Sequence, residues 1–178
     1  WSSPLSLMRK LSHNEIVARQ EAQIQKPLAL TVLLDNIRSL HNVGSIFRTA
    51  DGMGVEKIWL CGITGYPPDS QISKTALGAE TCVPWEHSYD AAAVIADLKK
   101  QGYQIVLVEQ TDHSVSYHKF VPKVPLCLVL GNEIEGVSED LVELADASIE
   151  IEMAGLKNSL NVGIAFGIVG YYLRHCFL

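Results

Sequence analysis

The chain is poor in charge and has no excess of cations. Charged residues make up 19% of its 178 residues and the net charge is −6, which excludes the large basic face that grips duplex nucleic acid. RNA held at a few phosphates by a local Arg or Lys patch stays open. The four cysteines, Cys61, Cys82, Cys127 and Cys176, form no CxxC pair. Neither they nor the histidines have metal-ligand spacing, so no metal is expected. Three of the cysteines fall on apolar, strand-like runs. They read as buried reduced thiols and point to a cytoplasmic protein. No signal peptide and no transmembrane run is present, so no membrane association is expected. The glycine patterns GxGxxG and GxxxxGK, which cradle dinucleotides and nucleotide phosphates, are missing. So is the GxSxG elbow of the α/β hydrolases. The chain starts at Trp1 and not at a Met, as a trimmed chain or a domain of something longer would.

What is present is a globular sequence, 48% hydrophobic, long enough for one domain with a substantial core. Apolar strand-like runs at 28–34, 57–61, 81–85, 103–108, 126–130 and 148–151 alternate with helical stretches. The class is therefore α/β with a mainly parallel sheet flanked by helices. Residues 1–27 form an N-terminal helical arm. There Ser12-His13-Asn14-Glu15 is a capping box for a helix over about 13–25, ended by Pro27. Ser88 and Ser138 are expected to cap helices over about 90–101 and 138–145.

One stretch near the C-terminus stands out. Asn158-Ser159-Leu160-Asn161-Val162-Gly163 opens a helix that carries no charge from Asn161 to Leu173, the pattern of a helix buried all round. Gly163, Gly167 and Gly170 fall on or near one face. Glycine inside a helix costs ~1 kcal/mol against alanine, so a close neighbour is expected there. Ser159 and Asn161 read either as ordinary caps or as ligand contacts. Earlier in the chain, Asn42-Val43-Gly44-Ser45-Ile46-Phe47 repeats the pattern of Asn161-Val162-Gly163-Ile164-Ala165-Phe166. Both copies follow a strand and open a helix, which suggests two walls of one site. Arg48, one to two turns beyond Asn42, reads as a solvated arginine or as an anion contact. Glu133, beside Gly131 at a strand end, reads equally as a turn-holding or a functional carboxylate. His41 and His113 read as solvated loop residues.

Three segments in order resemble the SpoU (TrmH-like) branch of the SPOUT RNA methyltransferases: Asn42 through Asp51, Leu130-Gly131-Asn132-Glu133 through Gly136, and Ile151 through Asn161 with Met153, Gly155 and Ser159-Leu160-Asn161. The resemblance runs from about residue 28 to the end. It implies a SPOUT methyltransferase domain over 28–178 whose C-terminal segment is tucked through a deep trefoil knot. It also implies a homodimer, S-adenosylmethionine as cofactor, and methylation of a ribose 2′-hydroxyl of tRNA or rRNA. By the same resemblance Arg48, with Asn42, Glu133, Ser159 and Asn161 around it, does the catalysis. Gly131, Ile151, Leu160, Met153, Glu109 and Leu130 surround the cofactor. Arg48 is expected to bind a phosphate next to the target ribose, and Glu133 to fix Arg48 or the turn beneath it. Ile151-Glu152-Met153 departs from the usual Ile-Pro-Met, freeing a backbone N–H and adding a charge beside the cofactor loop. The loop Arg38-Ser39-Leu40-His41 departs from a pattern that often holds a proline. The competing reading is a knotted RNA-binding or scaffold protein without catalysis. For RNA contact, Arg9, Lys10, Arg19, Arg38 and Arg48, combined across a dimer, are the expected cations.

Overall fold

A computed structural model describes residues 8–23 and 26–178. Among them, seven strands form one sheet: β1 (Leu28–Asp35), β2 (Val55–Cys61), β3 (Trp85–Ser88), β4 (Gln104–Val108), β5 (Val115–Ser116), β6 (Leu126–Leu130) and β7 (Ala147–Glu150). Their order is β3-β2-β1-β6-β4-β7-β5, and every pairing is parallel. The helices are α1 (His13–Glu21), α2 (Leu40–Met53), α3 (Ser70–Ala76), α4 (Ala91–Lys100), α5 (Glu139–Leu144) and α6 (Val162–Phe177).

Strand alternation sorts side chains to two faces. Leu30, Val32, Leu34, Leu126, Leu128 and Leu130 join the core under α2, α3 and α6. Leu33, Ile105, Leu107, Cys127 and Val129 join the core under α4 and α5. Central strands buried on both sides explain why β1 and β6 read as continuous apolar runs. Cys61 and Cys127 are buried free thiols, and burial pushes the Cys61 thiol up to about 12.

The capping box of α1 is present, with Ser12 and Glu15 satisfying each other's backbone N–H. The helix ends at Glu21, short of the expected 25; residues 24 and 25 lie outside the described ones. It buries no side chain, and Arg9 is spent on Glu15 at 2.6 Å. Of the expected strand over 81–85, only Trp85 is in one. A 3-10 turn, Ala79–Thr81, comes first, and Cys82 and Val83 donate their N–H groups back to Ala79. Pairing then starts at Trp85 against Ile58. Asp90, not Ser88, caps α4 through Ala93 N–H. Ser138 makes no cap bond in α5. Its N–H and hydroxyl both donate to the buried Asp35 carboxylate, at 2.8 and 2.7 Å.

The expectation that α6 is buried on all sides is wrong. Its buried residues, Gly163, Phe166, Val169, Gly170 and Leu173, line one face, while Ile164 and Tyr171 are 57% and 49% exposed. The glycine stripe does mark a close neighbour, and that neighbour is α2. A Cβ on Gly163 would sit 3.3 Å from Ser45, and one on Gly170 would sit 2.6 Å from Met53. At the far end, Arg174 donates to Met53 O at 2.6 Å, a cation on a helix C-terminus. The two helices therefore run side by side in the same direction, with their N-termini together.

Candidate active site

Those two N-termini meet through their asparagines. Asn161 accepts from Gly163 and Ile164 N–H and so caps α6. Its amide donates to the Asn42 side-chain oxygen at 3.0 Å. The Asn42 amide in turn donates to Glu133 Oε1 at 3.1 Å. Glu133 also accepts the N–H groups of Arg38 at 2.9 Å and Ser39 at 3.0 Å. A carboxylate on the β6 loop thus ties the start of α2 to the start of α6. Partial burial raises the Glu133 carboxyl, but the hydrogen bonds from Arg38, Ser39 and Asn42 outweigh it and hold it below the ordinary carboxylate range.

Asn42 is not the cap of α2, which begins two residues earlier, at Leu40. Ser39 caps it, accepting Asn42 N–H at 3.3 Å. Glu133 fixes neither Arg48 nor its own turn. That turn is held by Asn132, which accepts from Ile134 and Glu135 N–H and donates to Asn36 O.

Beside this relay, at the carboxyl ends of β4, β6 and β7, lies a groove of about 690 Å³ with an adjoining recess of about 110 Å³. The two share Glu109, Gln110, Ser159 and Leu160. Open parallel sheets bind ligands at this end of their strands. Gly131, Leu130, Glu109 and Leu160 line the groove, and Ile151 and Met153 line the recess. Its glycine wall is tight. A Cβ on Gly131 would meet Val137 N at 2.2 Å, and Gly136 (φ +75°) packs against Glu109. Glu109 is fixed by accepting from Val137 N–H at 3.0 Å and Gln110 N–H at 2.8 Å.

Of the five expected catalytic residues, the structure brings four together. Glu133, Ser159 and Asn161 line the groove, and Asn42 bridges two of them. Arg48 stands apart on α2. It is exposed, makes no hydrogen bond or ion pair among the described residues, and lines neither cavity. Glu152 is exposed and lines neither the groove nor its recess. Gln110 went unnoticed in the sequence. Its amide donates to Asn158 O at 2.6 Å and ties the 152–161 loop over the groove. Its place just past the end of β4 was the available signal.

A parallel α/β sheet with an amide-bridged groove at its strand ends defines an α/β domain with a cavity where such sheets hold their ligands. The chain belongs to the SpoU rRNA Methylase family, whose description matches residues 29–171. The tRNA (guanosine(18)-2′-O)-methyltransferase of Aquifex aeolicus is 34% identical over 142 residues, 80% of this chain and 67% of that one. The crystal structure of the A. aeolicus TrmH/SpoU tRNA modifying enzyme superposes with a TM-score of 0.79 at 30% identity, over 92% of this chain and 83% of that one. The AdoMet-bound rRNA methyltransferase from Sinorhizobium meliloti gives 0.78 at 30% identity, over 88% and 62%. The chain spans 61% of the length of two staphylococcal TrmH-family relatives.

Proposed function

We propose that the chain transfers the methyl group of S-adenosylmethionine to a ribose 2′-hydroxyl of tRNA or rRNA. The observation that carries this is the Asn42–Asn161 bond beside a groove and adjoining recess that together are lined by every residue expected around the cofactor. The groove suits such a ligand. Leu130, Ile151, Met153 and Leu160 offer apolar contact, and the Glu109 carboxylate, with the sealed Gly131 turn, suits a cationic ligand with polar ends. When bound, S-adenosylmethionine supplies an electrophilic methyl on a sulfonium, itself a good leaving group. The protein's part is then alignment, which can account for much of a rate enhancement. Glu133 and Asn161 fix the two helix mouths, Ser159 lies on the groove wall free to meet the ribose, and Arg48 holds a phosphate.

The family resemblance also supports a knotted C-terminal segment and a homodimer. For the dimer, the uncharged exposed side of α6, with Ile164 and Tyr171, is the surface a second copy would cover. Light scattering should give twice the 19.5 kDa chain mass, falling to one chain mass for Ile164→Asp. A single-chain mass for the unaltered protein rejects the dimer.

The activity itself is tested with radiolabelled S-adenosylmethionine and, separately, total tRNA and total rRNA. Label appearing in one of them as 2′-O-methylnucleoside is the expected result. Retained cofactor binding with no label in either RNA supports the non-catalytic reading.

A further inference from the structure

We propose that the aromatic corner formed by Tyr66, His87 and Tyr89 is a stacking platform for an unpaired base of the RNA substrate, beyond the nucleotide being methylated; this rests on the RNA reading above. The rings form a contiguous set. Tyr66 lies 4.5 Å from His87, His87 lies 4.6 Å from Tyr89, and Tyr66 stacks on Trp85 at 6.1 Å and 30°. Tyr89 is 83% exposed and Tyr66 46%, so ring surface is open to a flat ligand. His87 is held in place by a 3.2 Å contact with Gly62 O.

Position ties this corner to the groove. Cys61 of β2 pairs with both Asp35 of β1 and Ser88 of β3, so Tyr89 and the loop after β2 emerge on the same rim of the sheet as Gly131. Three strand spacings, ~14 Å, separate β3 from β6. The ground between them is continuous. The loop carrying Tyr66 packs on the start of α2, where a Cβ on Gly65 would meet Leu40. Leu40 lies between the exposed Arg38 and His41, and Glu133 holds the backbone of Arg38.

The chemistry favours a base over a phosphate at the corner. The carboxylates of Asp69 and Asp90, which cap α3 and α4 through Gln71 and Ala93 N–H, flank the segments that carry Tyr66 and Tyr89 and disfavour an anion there. Single-stranded RNA is recognised chiefly by stacking its exposed bases on aromatic side chains. Arg38, on the path to the groove, is placed for the intervening backbone.

The test replaces both tyrosines. Tyr66→Ala with Tyr89→Ala should raise KM for the RNA ~10-fold or more, the effect of losing ring-on-base stacking. It should leave kcat and S-adenosylmethionine affinity unchanged, and Tyr66→Phe with Tyr89→Phe should restore KM. Independently of methyl transfer, oligoadenylate should quench tryptophan fluorescence of the unaltered protein. An abasic ribose-phosphate chain of equal length should not, and the double alanine variant should not respond. An unchanged KM, or equal binding of oligoadenylate by both proteins, overturns the platform. Should neither RNA class be methylated, the methyltransferase reading fails by itself and the oligoadenylate comparison still decides the platform.

Discussion

Gly131→Ala is expected to abolish measurable binding of S-adenosylmethionine and to destabilise the fold by ~1–3 kcal/mol. The new Cβ would lie 2.2 Å from Val137 N, 2.3 Å from Gly136 C and 2.7 Å from Gly136 O. All three are backbone atoms, so no side chain can swing aside. Gly136 cannot retreat, because its far side is closed by Glu109. The Glu109 carboxylate is itself held by Val137 and Gln110 N–H groups. The turn after β6 must therefore open, and it forms the groove wall at Leu130 and Gly131. It also carries Glu133, so the tie to Asn42 and Asn161 moves with it. Calorimetric titration with the cofactor and a thermal melt, expected to fall by ~2–12 °C, check both halves. Gly155→Ala is the matched control, since nothing lies within 4 Å of its added Cβ. Unchanged cofactor affinity in Gly131→Ala would show that this wall is not part of the binding site.

The same contacts explain what could and could not be read from the sequence. β1, β4 and β6 were legible because buried parallel strands carry apolar residues on both faces, and no other pattern competes. Much of the groove was legible, since the motifs at 130–136 and 151–161 sit at the ends of β6 and β7, whereas Gln110, past the end of β4, belongs to neither motif. The start of α2 was not. Glu133 holds the N–H groups of Arg38 and Ser39 across 95 and 94 residues of chain, and local propensity carries no trace of that partner. α6 misled for a different reason. Absence of charge looks the same on a helix enclosed by its own chain and on one with an exposed side of uncharged residues such as Ile164 and Tyr171. Only the glycines, which record the approach of α2, pointed to a definite face. Residues 81–85 misled because Thr-Cys-Val suits a strand by propensity, while the left-handed Leu77 and Gly78 just before them set up a turn. Asp35, the anchor of Ser138, gives no local sign of that role in the sequence, because its partner lies 103 residues away; a carboxylate 2% exposed at a strand end is a strong organiser of nearby donors.

Arg48→Ala is expected to lower methyl transfer ~100-fold or more while leaving S-adenosylmethionine affinity within about twofold. The affinity should hold because Arg48 lines neither the groove nor its recess. The loss in rate follows from what an exposed guanidinium on α2 can do. A guanidinium keeps its proton throughout the neutral range, so it is a poor acceptor for the 2′-hydroxyl proton. It is well suited to a phosphate, which it grips with two parallel N–H donors. Fixing the phosphate beside the target ribose would set the direction of the hydroxyl and confine it near the methyl carbon. Arg48→Lys separates the two roles. Lysine keeps the charge but not the planar fork, so a positioning arginine predicts partial recovery in KM with kcat still depressed. If the arginine were the base, lysine would be expected to recover kcat as pH rises toward the range where an ammonium loses its proton. A kcat for Arg48→Lys that stays flat with pH while the unaltered protein keeps its own profile supports positioning. Full activity in Arg48→Ala would remove Arg48 from the mechanism and leave alignment to Asn42, Ser159 and Asn161 alone.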